Sequence, residues 1–345
     1  MVMKKIIIRA DGNAKIGAGH LMRCLTVAEQ IEQRENVLFV CADQESAGLV
    51  LERGFSAFVL GTEYRDMMSE LPLWEQMRMQ NVGGLLMGDV VILVDSYFAD
   101  AEYLKALQAY GKVFLMDDLA ADAKPVDGII NYNAYASEEL YEPYEKSHQT
   151  RFFTGSGFTP VRPEFVDRDY RISEQVNSVL LTTGGGDRDN IAGHILEVIY
   201  REGIVFKVVT GRFNPNYEVL CEYAKAHPGV EILHDVKDMA GLMLTCDMAI
   251  TAGGTTVYEL CSIGVPFICF SYAENQEKAV SYMSKKQIAL SAGKYHVDAQ
   301  QCLEEMKAAF DRLLGDHALR RSFHKREKEV VDGRGAKRIA SLLEK

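Results

Sequence analysis

The chain has 345 residues, 48% hydrophobic and 25% charged, a globular composition with room for two domains of ordinary size. Its net charge of −11 disfavours nucleic acid and anionic membrane as main partners, because both need a basic surface. The longest apolar stretches, such as VVILV at 90–94, are far too short to span a bilayer. The N-terminus runs into a strand-like segment without a signal peptide's cleavage region, and no stable membrane association is expected. Seven cysteines (24, 41, 221, 246, 261, 269 and 302) form no C-x-x-C pair and read as reduced core thiols of a cytoplasmic protein.

In chain order, six β-branched runs come first: KKIIIRA (4–10), NVLFVCA (36–42), SAFVLG (56–61), DVVILVDS (89–96), KVFLMDD (112–118) and DGIINYN (127–133). Helix-like stretches separate several of them. In the first stretch Leu21, Cys24, Leu25, Ala28 and Ile31 share one helical face. Continuous apolar strands between amphipathic helices predict a parallel sheet covered on both sides. Residues 62–88 carry Met67, Met68, Met77, Met79 and Met87, a pattern of adaptable packing. The stretch 135–150 receives no role.

After RFFTGSGFTPVRPEF (151–165) the pattern restarts with NSVLLTTGGGD (177–187), IVFKVVTG (204–211), VEILHDV (230–236), DMAITAGG (247–254) and VPFICFSY (265–272). Residues 156–172, with Pro160 and Pro163, read as a linker. The prediction is an α/β protein of two tandem Rossmann-like domains, 1–160 and 172–330, with a C-terminal helix over 331–345. The charged stretch 302–326 reads as a solvated packing helix. Ligands of open parallel sheets bind beyond the carboxyl ends of the strands, and every informative motif lies at such an end. Two domains facing each other across a cleft would suit a small molecule.

The stretch IGAGHLMR (16–23) follows the first run. Gly17 and Gly19 permit a tight turn and place His20 in the first turn of a helix. A dinucleotide fingerprint needs a third glycine where Arg23 stands, so nicotinamide binding is disfavoured. The helix N-terminus favours an anion, to which Arg23 could add a charged contact. It also disfavours a cationic His20, leaving an imidazole able to take a proton from water. The competing reading makes His20 a polar cap.

Two glycine clusters mark the second half. Gly184, Gly185 and Gly186, and then Gly253, Gly254, Thr255 and Thr256, each join a strand to a helix and can present backbone N–H groups to phosphates. Neither is followed by G-K-[ST], which argues against triphosphate hydrolysis. Glu259, four residues beyond Thr255, is placed to accept from two ribose hydroxyls.

These motifs, with VDSYF, MDDLA, AENQ and the closing DGRGAKRI, resemble the UDP-2,4-diacetamido-2,4,6-trideoxy-β-L-altropyranose hydrolase family of pseudaminic acid biosynthesis, in order and over nearly the whole chain. The C-terminal half is also similar to the UDP-GlcNAc glycosyltransferase that makes lipid II. The resemblance implies the GT-B fold and a UDP-sugar substrate, with His20 as general base and Tyr97 and Asn275 in the active site. It further implies Glu259 on the ribose, the Val236 backbone on uracil, and Gly185 and Gly186 on the diphosphate, with Gln276 beside Asn275 in the substrate site. Asp95 and Asp118 are either strand-end acids or substrate contacts. No cofactor is expected. No metal is expected either, because no His/Asp/Glu cluster has ligand spacing and VDSY lacks a D-x-D.

The expected reaction is hydrolysis of a UDP-activated deoxy amino sugar, by water attack at the anomeric carbon with inversion. The alternative is a GT-B glycosyltransferase in which His20 deprotonates an acceptor hydroxyl, or a related spore-coat polysaccharide enzyme. A non-catalytic nucleotide-sugar binder is a third reading, disfavoured by the histidine, tyrosine and asparagine at the matching positions.

Overall fold

The computed structural model describes residues 4–84, 89–120, 124–142, 150–184, 186–212 and 214–345. The chain divides into two compact units. One is Met1–Pro160 with Arg334–Lys345, and the other is Val161–Gly333.

In the first unit, strands β1 (Lys5–Ala10), β2 (Val37–Cys41), β3 (Ser56–Val59), β4 (Val90–Asp95), β5 (Lys112–Met116), β6 (Gly128–Asn131) and β7 (Arg151–Thr154) form one sheet. Their order is β3-β2-β1-β4-β5-β6-β7 and every pairing is parallel. All six residues of β4 are buried, as the run of apolar side chains on both faces demands. Helix α1 (Gly19–Ala28) buries Leu21, Cys24, Leu25 and Ala28, while Ile31 is buried just beyond its end. Helix α2 (Gln44–Glu52) is capped by Asp43, which accepts from Ser46 N–H.

The methionine-bearing stretch is packing in part, with Met79 exposed. Its helix α3 (Leu71–Met79) buries Trp74 and Met77, and Met67 just before it is buried too. Met87 lies outside the described residues. Glu70 ties the insertion to β1, accepting from both Arg9 Nε (2.9 Å) and Nη2 (2.5 Å), and from Tyr103 OH (2.8 Å) on helix α4 (Ala101–Leu107).

In the second unit, strands β8 (Ser178–Thr182), β9 (Val205–Thr210), β10 (Val230–His234), β11 (Met248–Ala252), β12 (Phe267–Ser271) and β13 (Leu290–Lys294) form an all-parallel sheet of order β10-β9-β8-β11-β12-β13. Helices α5 (Ile191–Ile199), α6 (Tyr217–Ala226), α7 (Met239–Leu244), α8 (Thr256–Ile263), α9 (Glu274–Lys285), α10 (Ala299–Gly315) and α11 (His317–Val330) accompany it. Residues 302–326 thus supply two helices, whose apolar stripe (Cys302, Met306, Phe310, Leu313 and Phe323) enters the core. The closing helix α12 (Gly335–Leu343) belongs to the first unit, where Glu344 accepts from Glu32 N–H and Arg338 donates to the Gly157 carbonyl.

Each sheet reverses its strand order once, between β1 and β4 in the first unit and between β8 and β11 in the second. At such a point the loops leave in opposite directions and open a crevice at the carboxyl ends. The strand-to-helix turns expected to carry function leave β1, β8 and β11.

Candidate active site

In the first unit, β1 leads through Asn13–Gly17 into α1. Asn13 Oδ1 accepts from Lys15 and Ile16 N–H, and Gly17 N–H closes the turn on the Asn13 carbonyl at 2.8 Å. Gly17 has φ +76°, a conformation that a side chain would strain. Nothing lies within 4 Å of where a Cβ would sit on Gly19. The residue preceding α1 is Ala18, which makes no side-chain cap. His20 is therefore not a cap. Its Nδ1 lies 2.6 Å from Asp95 Oδ1, at the end of β4.

A carboxylate only accepts, so this contact places the proton on Nδ1 and leaves Nε2 as the acceptor. Arg23 Nη2, 3.0 Å from the same Nδ1, is then directed at Asp95. Arg23 grips both Asp95 oxygens, with Nε and Nη2 each at 2.5 Å. Cys24 Sγ donates to Oδ2 at 3.4 Å. Burial works to raise the Asp95 carboxyl, but Arg23 and His20 outweigh it and hold it well below the usual carboxylate range. Burial pushes the Cys24 thiol up, so it remains a donor.

Around this pair lies a second layer. Arg23 Nη1 donates to Asp118 Oδ2 (3.0 Å) and to Tyr132 OH (2.5 Å), and its guanidinium lies over the Tyr132 ring, 5.0 Å from the centroid. Tyr97 OH donates to Asp118 Oδ2 at 3.1 Å, and its ring meets His20 edge-on at 4.5 Å. Tyr97 is 42% exposed; the His20 side chain is 14% exposed and that of Asp95 is 0% exposed. Tyr135 OH and Tyr141 OH donate to the Asp118 and Asp117 carbonyls. The described part of 135–150 therefore holds the turn after β5, while 143–149 lie outside the described residues.

Arg23 is buried with every guanidinium nitrogen engaged within the unit, and Asp95 is buried at the end of β4 as the partner of His20.

In the second unit, the two glycine turns differ. Gly184 has φ +94° and Gly186 has open space around it, while Gly185 lies outside the described residues. The N-terminus of α5, expected to favour phosphate, is filled by the protein's own Asp187, which accepts from Ile191 N–H (2.7 Å), Ala192 N–H (2.9 Å) and Thr183 Oγ1 (3.0 Å). A second anion at that helix end would meet a carboxylate already there. At α8, by contrast, Thr255 occupies the cap position without a side-chain cap and Thr256 opens the helix. Gly254 has open space around it, while a Cβ on Gly253 would sit 2.6 Å from Val280 Cγ2, so glycine there lets α9 pack under the turn.

Glu259, in the first turn of α8, accepts at Oε1 from Arg162 Nε (3.1 Å) and Nη2 (3.0 Å). Burial pushes its carboxyl up and Arg162 opposes that shift. Asn275 is exposed in the first turn of α9. Gln276 is buried and accepts from Tyr272 N–H at 3.1 Å. Val236 follows Asp235, which is left-handed at φ +48° and pairs with Lys237 (2.8 Å) and Arg212 (3.4 Å).

The motifs gave no sign of Cys24, Tyr132, Asp187 or Arg162. Among the described residues, no group of three His, Cys, Asp or Glu could hold a metal ion, and no helix is long and apolar enough to cross a membrane.

No family model matches the chain. It is 25% identical to the spore coat polysaccharide biosynthesis protein SpsG of Bacillus subtilis, over 98% of this chain and 97% of that protein. It is 26% identical to the UDP-2,4-diacetamido-2,4,6-trideoxy-β-L-altropyranose hydrolase of Campylobacter jejuni, over 82% and 97%. Among solved structures it is similar to Acinetobacter baumannii MurG, with TM-score 0.65, 12% identity and 99% of both chains covered. It is also similar to Staphylococcus aureus MnaA in complex with UDP, with TM-score 0.67, 13% identity, and 98% and 95% covered. The resemblance carried by the motifs thus extends along the chain, and the fold is the GT-B pair of Rossmann-like domains.

Proposed function

We propose that the chain is a hydrolase that cleaves a UDP-activated 2,4-diacetamido-2,4,6-trideoxy sugar to free sugar and UDP, without a metal, in nonulosonic acid biosynthesis in the cytoplasm. The observation that carries this reading is the His20–Asp95 pair, 2.6 Å apart and gripped by Arg23 at the strand-order reversal of the first unit. With Nδ1 protonated and held by Asp95, Nε2 takes the proton from water as the oxygen bonds to the anomeric carbon. The bond from that carbon to the UDP oxygen breaks, and its electron pair leaves with UDP. Asp95 stabilises the imidazolium as it forms.

UDP is assigned to the second unit, its diphosphate on the uncapped N-terminus of α8, with Glu259 on the ribose and Val236 at the base. Tyr97 and Asn275 contact the sugar. Attack at phosphorus would call for a cation to neutralise the phosphoryl oxygens, and Arg23, the cation beside His20, is already committed to two carboxylates. Asp95 is too buried to be a nucleophile. One base and no second displacement give inversion.

The name of the Campylobacter jejuni relative supports the substrate class, and the GT-B neighbours also fit the alternative of transfer to an acceptor hydroxyl. UDP release from a panel of UDP-sugars, with EDTA present and no acceptor, separates the two. The hydrolase releases UDP from the diacetamido-trideoxy donor. Release that needs an added acceptor, or added magnesium or manganese, would contradict the reading.

A further inference from the structure

Among the described residues Asp118 makes no hydrogen bond to His20 or Asp95, yet it reaches the imidazole by two routes. One runs from Oδ2 to Arg23 Nη1 (3.0 Å), then through the guanidinium to Asp95 (2.5 Å) and His20 (2.6 Å). The other runs through Tyr97, whose hydroxyl donates to the same oxygen (3.1 Å) and whose ring lies edge-on to His20. The ionisable groups hydrogen-bonded into this cluster are Arg23 and Cys24 from α1, Asp95 and Tyr97 from the end of β4, Asp118 from the end of β5 and Tyr132 from the end of β6; beside it, burial pushes up the Asp117 carboxyl, which accepts from Leu119 and Ala120 N–H, and the Tyr135 phenol, which donates to the Asp118 carbonyl. Burial pushes the Cys24 thiol and the Tyr132 phenol up, so both stay neutral. The fixed charges are then one guanidinium and two carboxylates. With a neutral imidazole the cluster is one charge negative, and a proton on His20 makes it neutral.

Asp95 alone would only balance Arg23. The surplus negative charge is that of Asp118. Its other oxygen, Oδ1, is buried and has no hydrogen-bond partner among the described residues, so the carboxylate's described contacts fall on one oxygen facing Arg23, Tyr97 and Tyr132. We propose that Asp118 is a positioning residue that sets the proton affinity of His20, acting through Arg23 and Tyr97. This inference rests on the base role given to His20 above. In water attack the base must gain a proton as the bond forms, and a nearby uncompensated carboxylate favours that gain.

Asp118→Asn keeps the shape and removes the charge. The proton then turns a neutral cluster positive, so the acid limb of kcat/KM moves to lower pH by about one unit, and kcat falls roughly ten-fold. Tyr132→Phe removes hydrogen bonds to Arg23 and to Asp118 (3.4 Å) without changing charge; its limb stays where it is, though its rate falls. The His20 imidazole is also followed directly by NMR titration, which needs no substrate. Its midpoint moves down in Asp118→Asn and not in Tyr132→Phe. An unmoved midpoint in folded Asp118→Asn protein overturns the proposal. A moved midpoint in a protein that releases no UDP would leave the proposal standing and overturn the hydrolase reading instead.

Discussion

The carboxyl ends of the two sheets are built alike and finished differently. Both place strand-to-helix turns at a reversal of strand order. In the first unit, the space behind the turn is filled with charge: Arg23, Asp95 and Asp118 interlock, with His20 partly buried against them and Tyr97 exposed. In the second, the turn at α8 has a helix end without a side-chain cap, open space at Gly254, and one carboxylate, Glu259, held by Arg162. A base needs fixed charge to direct its proton. A phosphate needs backbone N–H groups that nothing else has taken. The α5 turn makes the same point from the other side, since Asp187 already occupies the place a phosphate would take.

The division of labour is broken most sharply at His20. His20→Ala should lower turnover by about 10²–10⁴-fold while calorimetry finds UDP affinity unchanged. Near-normal turnover would remove the base from the first unit. Asp95 sets the sign of the pH dependence. Because Arg23 and His20 hold its carboxyl below the usual range, it stays ionised as pH falls past about 4. Rate lost on the mildly acid side therefore does not come from Asp95. Only stronger acid, passing through the depressed value of Asp95, dissolves the pairing and the stability it contributes.

The converse change lies in the second unit. Glu259→Ala should weaken UDP binding by about 1–3 kcal/mol with less effect on kcat at saturating substrate. Unchanged affinity would take Glu259 off the ribose and leave it as the partner of Arg162. Thiol labelling gives the smallest effect. Cys24 is buried behind Asp95, whereas Cys221, on α6, is half-buried. Cys221 should react first with a thiol reagent and leave turnover unaltered. Rapid labelling of Cys24 would mean that the charged cluster opens in solution.

Much of this was legible in sequence. Eleven apolar runs mark strands because a parallel sheet covered on both faces needs unbroken hydrophobicity, and each contains a strand of the structure. Two strands escaped. β7 (RFFT) and β13 (LSAGK) contain no Val or Ile, whereas the other two edge strands, β3 (SAFV) and β10 (VEILH), do and so carry that signal. His20, Tyr97 and Glu259 were legible because glycine turns and a matching motif order flag them. Tyr132 and Asp187 were not. A tyrosine at a strand end and an aspartate in a turn have many ordinary uses, and only the fold puts Tyr132 beside an arginine 109 positions away. Arg23 shows the same limit. Its place in the first turns of α1 suggested an anion from outside, whereas the anions come from the ends of β4 and β5.

The central claim is that His20 directs water to the anomeric carbon of a UDP-sugar. Turnover in ¹⁸O-labelled water without an acceptor, read by mass spectrometry of both products, tests it most directly. Label in the released sugar and none in UDP is the predicted result; label in the UDP phosphate would contradict it.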